Sequence, residues 1–586
     1  MKTNWDLTNI FANWEEWDST HDLTSSNIKK LEQYQGKLDD FDTLKDFYSL
    51  YEETVNDLYK VYIFGHLNND LNKKDTFIDG KFKQAHILYS SFIGAVSFLE
   101  PELISIGEEK INEYASKDAK LTEYKFEFDN LFRLQKHVLS TDNEKILSNF
   151  SPLMDSTSNL YSSLSISDKV NTEVTLSIGE TIKVTSGNYR SYLADLKVQD
   201  DRRKVFEAIF NYYGTHKNTY SAIYNSILQK NWANAKSRNY SSSIESYLYK
   251  NNIPVEVYEA LINTTKSTTE PIKKFIELRK KFLNIEDYRT YDRFLPLSSS
   301  NEKYTYEEGL EIVYKALDKM PPEFKELAKR GLADGNVDVY EADGKETGAY
   351  SSGLFGHDPH ILLNYDDTLN YVFTVAHEAG HSMHTILSQE NQPFATHDYT
   401  IFVAEIASTF NEHLLLDYLV ENAKTKDEQV VLLAQAIDDI LGTFYRQSLF
   451  ADYEYQAHKL VETGQPITTD ALSNIMIDLY QTYYGLDIKE EKVKEFVWAY
   501  IPHMFHTPFY VYQYATSFAA SLKIYSDVKN NVEGAYDRYI GLLKSGGSKY
   551  PVDQVKEAGV DLTTAAPFNA VVERLNGLVN KLEEIL

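Results

Sequence analysis

Thr374–Ser388 reads TVAHEAGHSMHTILS and holds the pattern H-E-x-x-H in His377, Glu378 and His381. Residues four apart on a helix lie on one face, one turn above the other. Two imidazoles so placed grip one divalent ion. The glutamate between them leans toward the ion's open side, where it takes a proton from a bound water. The surrounding residues predict a helix. Asp366, Asp367 and Thr368 offer capping oxygens, and the acids suit the positive helix end. Leu369, Val372, Phe373, Ala376, Ala379 and Met383 recur at helical spacing and form a face to bury. His377, His381 and His384 mark the polar face. Gly380 is a poor helix former, by about 1 kcal/mol against Ala, and lets another backbone come close.

A three-ligand site needs one more protein ligand, and glutamate is a usual choice. Beyond the polar segment Gln389–His397, broken by Pro393, a second helical pattern covers Tyr399–Ala423. Glu405 lies early in it, flanked by the apolar Ile401, Phe402, Ile406, Phe410 and Leu414. Two antiparallel helices joined by a short loop would bring Glu405 opposite the histidine pair. A metal removes the cost of burying that carboxylate. Ser408 and Glu412 share its face; either can orient a ligating imidazole, and Glu412 also reads as a plain surface acid. Zinc is the expected ion, one per chain, although His/Glu sites also accept cobalt or manganese.

HEAGHSMH followed by FVAEIASTFNE resembles the thimet oligopeptidase family of zinc endopeptidases, and within it the oligoendopeptidase F branch. Further blocks are similar in the same order: WDLTNIF (Trp5–Phe11), GAYSSG with PHILLNY (Gly348–Tyr365), FYRQSLFADYE (Phe444–Glu454), PHMFHTPFYVYQYATS (Pro502–Ser517) and LLKSGGSKYPVD with AGVDL (Leu542–Leu562). The resemblance implies a mainly α, elongated, two-lobed body with a deep channel and a small β-sheet beside the zinc helix. Such a channel admits short unfolded peptides. The pattern along the chain places a soft boundary near Asp200, between a helical N-terminal lobe over residues 1–200 and a catalytic zinc domain over 201–586.

Peptide hydrolysis at zinc passes through an oxyanion that an imidazole or phenol donor can share with the metal. Pro502–Tyr514 supplies His503, His506, Tyr510, Tyr512 and Tyr514. A continuous helix would put His503, Tyr510 and Tyr514 on one face; Pro508 interrupts it. The family carries a histidine followed by tyrosines here, which carries His503 over. The double glycine that precedes the tyrosines in the thimet branch is missing, so the donor among Tyr510, Tyr512 and Tyr514 stays open. Gly348 and Tyr350, in the GAYSSG block, are substrate-contact candidates, as are His384, His506 and Tyr512.

The rest of the chain bounds these readings. Its 586 residues exceed one compact core. A net charge of −28 argues against nucleic acid and anionic membranes as partners and favours neutral or cationic substrates at long range. With 0 Cys there is no disulfide framework, thiolate site or cysteine nucleophile. No apolar run approaches a membrane span, and the start lacks a signal-type core, so the cytoplasm is the expected compartment. A monomer or weak homo-oligomer is expected.

Residues 1–165 read as helices, with a boundary at Ser151-Pro152. Asn171–Thr185 alternates around Ile178-Gly179-Glu180 and predicts a hairpin. Helices follow around Asn188–Asp195, Asp201–Tyr213, Asn218–Lys236, Val255–Phe282 and Tyr306–Leu332. Val337–Ala342 and His360–Tyr365 read as strands, joined by the Asp343-Gly344 turn and a flexible glycine-rich loop with His357 and His360 as polar loop residues. The edge of that sheet can pair with an extended peptide. Arg446 is expected to pair with an acid on a neighbouring helix. Together the residues and the resemblance point to a zinc oligoendopeptidase. A zinc carboxypeptidase or dipeptidase on a similar scaffold would further need a cation to hold the substrate's terminal carboxylate. A non-catalytic peptide-binding protein is the third reading.

Overall fold

The computed structural model describes residues 2–298 and 302–586. The protein is mainly α, with 71% of it helical and only small sheets. The described strands are β1 (Thr172–Thr175), β2 (Thr181–Val184), β3 (Val337–Asp338), β4 (Tyr350–Leu354) and β5 (His357–Leu362). β1 and β2 form the expected hairpin, with Val174 opposite Ile182. In the other sheet β5 is central, parallel to β3 and antiparallel to β4. The chain divides into two compact units, each built from three stretches. One comprises Met1–Lys136, Glu302–Tyr418 and Ile524–Gly559; the other comprises His137–Asn301, Leu419–Lys523 and Val560–Leu586.

In the first unit the N-terminal helices Trp14–Leu31, Phe41–Leu71 and Thr76–Ala95 pack around Trp17, Phe47, Leu58 and Phe64. Asn13 starts the first by accepting from the Glu15 and Glu16 amides at 3.0 Å. Trp17 Nε1 donates to the Val61 carbonyl at 2.8 Å, which satisfies the indole inside the core. Trp5 Nε1 likewise donates to Ile361 O at 2.8 Å, so the N-terminal block is tied to β5.

Several expectations are corrected. The helix Thr141–Ser162 runs through Pro152, so Ser151-Pro152 is no boundary. The expected Val255–Phe282 helix is two, Val255–Ser267 and Glu270–Leu283, the second opening with Pro271. Tyr306–Leu332 likewise breaks before Pro322, into Tyr306–Leu317 and Pro322–Gly331. Tyr340–Ala342 does not extend β3, because the chain curls around the buried Lys345 ammonium, which donates to Asp338 Oδ1 and Tyr340 O, both at 2.6 Å. The glycine-rich loop contains β4. His360 is no loop residue: it is buried in β5, edge-on to Trp5. By length and composition Thr76–Ile106 is apolar enough to cross a membrane, which the search for an uninterrupted apolar run misses. Its helix breaks after Ala95, and Ala85, Leu88, Phe92 and Leu103 are buried in this unit's core.

The second unit is held by tyrosines that span helices. Tyr258 donates to Ala451 O at 2.8 Å, and Tyr445 to Thr268 O at 2.7 Å. Tyr224, Tyr453 and Trp498 are buried, with their rings near parallel.

Candidate metal centre

The H-E-x-x-H helix spans Leu369–Asn391, and the helix that carries Glu405 spans Ile401–Asn422. At the start of the first, Asp366 Oδ1 accepts from the Thr368 amide at 3.0 Å. The helices meet at Gly380: a Cβ there would lie 2.5 Å from Ala407 O and 2.6 Å from Ser408 Cα. Only a residue without a side chain permits that approach. Asn411 Nδ2 donates across the seam to Ala376 O at 3.1 Å. The connecting loop is held in turn by Gly546 and Gly547. The Gly547 amide donates to Thr396 O at 2.8 Å, and a Cβ on Gly546 would lie 2.3 Å from the same oxygen. A tight helix seam and a clamped loop therefore fix where Glu405 falls.

Glu405 falls opposite the two histidines. His377 Nε2 lies 3.1 Å from His381 Nε2, and Glu405 Oε2 lies 3.3 Å from the first and 3.5 Å from the second. Three ligand atoms each about 2.0–2.1 Å from one centre at tetrahedral angles stand about 3.3 Å apart. The spacing therefore suits a tetrahedral ion with nitrogen and carboxylate donors, and it forms the only such His/Cys/Asp/Glu cluster among the described residues. Neighbours orient each donor. His377 Nδ1 donates to Glu412 Oε1 at 2.8 Å, which aims Nε2 at the other ligands. The His381 ring hydrogen-bonds the Ala404 backbone, and Ser408 donates to Glu405 Oε2 at 2.9 Å.

The charges are strongly coupled. Burial pulls His377 down, but the Glu405 and Glu412 carboxylates outweigh it and hold the ring well above the usual imidazole range. His381 is lowered to about 4, by burial and then by His377. Burial works to raise Glu405, yet His377 and His381 bring it down to about 2. Glu378 is buried and pushed up to about 7, by burial first; His377 opposes, and Glu405 and Glu412 add. Its Oε2 has no protein partner. A buried carboxyl with a free oxygen, poised near neutrality beside three converging donors, is equipped to carry a proton.

The other expected residues divide. His384 is buried and stacked on Tyr399 at 3.6 Å, with neither ring nitrogen hydrogen-bonded, and stays outside the triad. Tyr350 donates to Asp70 Oδ2 at 2.8 Å from β4; Gly348, at φ +83°, precedes that strand and offers its carbonyl to Asn364. In the second unit His503, Tyr510 and Tyr514 cluster although the helix is broken between His506 and Tyr512. The His503 ring lies 5.8 Å from Tyr510 and 6.1 Å from Tyr514, and the two tyrosines are 5.5 Å apart. Tyr512 is a core residue, buried against Tyr258. His506 is exposed beside Ser162 and the Tyr161 ring.

Two residues escaped the reading of the sequence. Tyr399 packs flat on His384 and shares a hydrogen bond with Thr385 Oγ1 at 3.0 Å. Buried Glu454 accepts from the Phe509 amide at 2.8 Å and holds the turn in which Phe509 takes φ +55°. The place of Glu454 beside Phe450, Ala451 and Tyr453 in the FYRQSLFADYE block was the available signal.

Comparison with known proteins agrees with this geometry. The family Peptidase family M3 matches residues 192–573, and Oligopeptidase F matches residues 102–169. The chain is 33% identical over 584 residues to Oligopeptidase PepF of Bacillus subtilis (strain 168), covering 99% of this chain and 87% of that protein. It is 34% identical over 588 residues to an oligoendopeptidase F homolog of Borreliella burgdorferi, covering 99% and 97%. The crystal structure of oligoendopeptidase-F from Enterococcus faecium superposes with a TM-score of 0.75 at 28% identity, covering 97% and 99%. With the family matched over most of its length and a donor triad of the right spacing, the chain belongs to Peptidase family M3, in its oligoendopeptidase F branch, and is a metallopeptidase.

Proposed function

We propose that this metallopeptidase cuts internal bonds of short, unstructured peptides and that its ion is zinc, held by His377, His381 and Glu405. The observation that carries the reading is the near-equal spacing of the three donors, which would hold an ion with room for a water. A bound zinc ion supplies Lewis acidity and makes an attacking water more acidic. Glu378 would take a proton from an attacking water and return it to the leaving amine; its elevated pKa suits a group that must both accept and return a proton near neutral pH. Glu412 keeps His377 in the tautomer that offers Nε2. β4 is an edge strand on this unit's sheet, and Ser351 on it touches Ser382 of the H-E-x-x-H helix at 2.9 Å. Its edge offers an extended peptide a backbone to pair with. His503 with Tyr510 or Tyr514 is the proposed oxyanion donor set. Their mutual clustering and the resemblance of their block to the family support it.

Glu378→Gln tests the proton role. The variant is expected to keep its zinc by elemental analysis and to lose about 10²–10⁴-fold in kcat on a quenched fluorescent peptide. Near-normal turnover with zinc retained would remove Glu378 as the base.

A further inference from the structure

The second unit encloses a cavity of about 420 Å³ that the chemistry described so far does not use. Rings line much of it, among them Phe206, Phe210, Phe275 and Tyr480, and His503 is part of its wall. Its charges are unbalanced. Arg190, Arg279, Arg293, Arg446 and Lys494 line it, against Asp438 as the lining acid.

Two of these cations are spent on neighbours. The Arg279 guanidinium donates to the backbone carbonyls of Arg293 and Leu295. Arg190 Nε donates to the Tyr189 hydroxyl at 3.2 Å. The other three have no carboxylate partner within ion-pair distance among the described residues. Arg293 lies on the Phe294 ring at 4.2 Å. Arg446 hydrogen-bonds Tyr484 and shares Asp438, on the preceding helix, with Arg279 and Arg293 rather than closing an exclusive ion pair with it. The buried Lys494 ammonium is held among rings, 4.9 Å from Tyr480 and 5.4 Å from Phe206.

The lining acid, Asp438, is shared among Arg279, Arg293 and Arg446, and leaves the cavity with an excess of positive charge. The other nearby acids are held by other partners. Asp292 is paired with Arg202 at 2.8 Å, and Glu491 accepts from the Thr290 amide and hydroxyl. Burial lowers Lys494 to about 8; Glu491 opposes this, and Arg293 and Arg446 add to it. Like charges gathered in a ring-lined, partly desolvated space are costly unless an anion joins them. In a chain of net charge −28 such an arrangement is local and specific.

We infer that this cavity receives a carboxylate of the peptide substrate, either the C-terminal group or an acidic side chain, with Arg293, Arg446 and Lys494 as its partners. The rings give the adjoining apolar side chain a surface to pack on, and the volume suits a peptide end rather than a folded chain. The inference rests on the peptidase reading for its ligand class.

The test uses the full zinc-loaded chain carrying Glu378→Gln and measures binding by calorimetry. The probes are one acetylated pentapeptide as free acid, the same peptide as amide, the amide with aspartate in the last position, and free tricarballylate. The free acid or the aspartyl amide is expected to bind about tenfold or more tighter than the plain amide; which of the two does so identifies the carboxylate source. Lys494→Met and Arg293→Met should each abolish most of that preference with binding of the plain amide unchanged, and Lys494→Arg should retain it. Equal binding of all three peptides, to within about twofold, overturns the proposal without any cavity variant. Tight tricarballylate binding with no preference among the peptides also overturns it and makes the cavity a small-anion site. Cleavage by the unsubstituted enzyme is scored separately. A carboxylate preference without cleavage would sink the peptidase reading alone, and cleavage without preference would sink the cavity proposal alone.

Discussion

Glu454 combines two demands at one residue. Its carboxyl is buried, and it anchors the Phe509 amide in a left-handed turn that a residue with a Cβ adopts at a cost. Burial raises its pKa to about 8, with the hydrogen bond from Phe509 opposing. A carboxyl raised on folding stabilises the protein fully below its unfolded pKa and loses that contribution as pH rises through the folded value. Glu454→Gln keeps an acceptor for Phe509 and removes the titration. Its melting temperature should therefore gain on the wild type as pH climbs from about 5 to 9. A pH-independent difference, read by calorimetry, would contradict the assignment. The closeness of His377 and His381 was legible in the sequence because H-E-x-x-H fixes its own geometry once the helix is granted, and that of Glu405 from its place early in the next helical pattern. The tyrosine cluster was less so, since Pro508 and the turn at Phe509 put His503, Tyr510 and Tyr514 together without a continuous helix. The acid expected for Arg446 exists in Asp438, but it is shared with Arg279 and Arg293, which nothing local in the sequence reports.

Between elements, the seam of the Leu369–Asn391 and Ile401–Asn422 helices decides whether Glu405 reaches the histidines. Gly380→Ala would push a methyl against the Ala407 and Ser408 backbone, which cannot swing aside as a side chain would. The variant should lose about 1–3 kcal/mol of stability and bind zinc more weakly than wild type. Unchanged melting and undiminished zinc retention would show that the seam tolerates the methyl. The close approach at Gly380 was readable from a helix former of poor rank placed amid strong ones. Helix periodicity likewise gave most elements, and alternation gave the β1–β2 hairpin. Breaks inside long periodic segments were missed where a proline opens a second helix, as at Pro271 and Pro322, and a break was expected at Pro152 where the helix continues. β4 was hidden because the glycines in its segment suggest mobility, whereas pairing with β5 supplies the order.

At the scale of the whole molecule the chain forms two compact units, each assembled from three separated stretches. A linear boundary near residue 200 follows composition and pattern, which cannot report that residues 302–418 and 524–559 pack in one unit with the N-terminal helices. The entire triad lies inside the first unit, and the cationic cavity lies inside the second. The claim on which the function depends is that this chain of 586 residues holds one zinc ion at one place. Anomalous diffraction at the zinc edge from crystals of the zinc-loaded full chain tests it most directly. Expected is one strong peak per chain, about 2.0–2.2 Å from His377 Nε2, His381 Nε2 and a Glu405 carboxylate oxygen. A zinc peak elsewhere in the chain, or one at the histidines with the Glu405 carboxylate turned away, would contradict it.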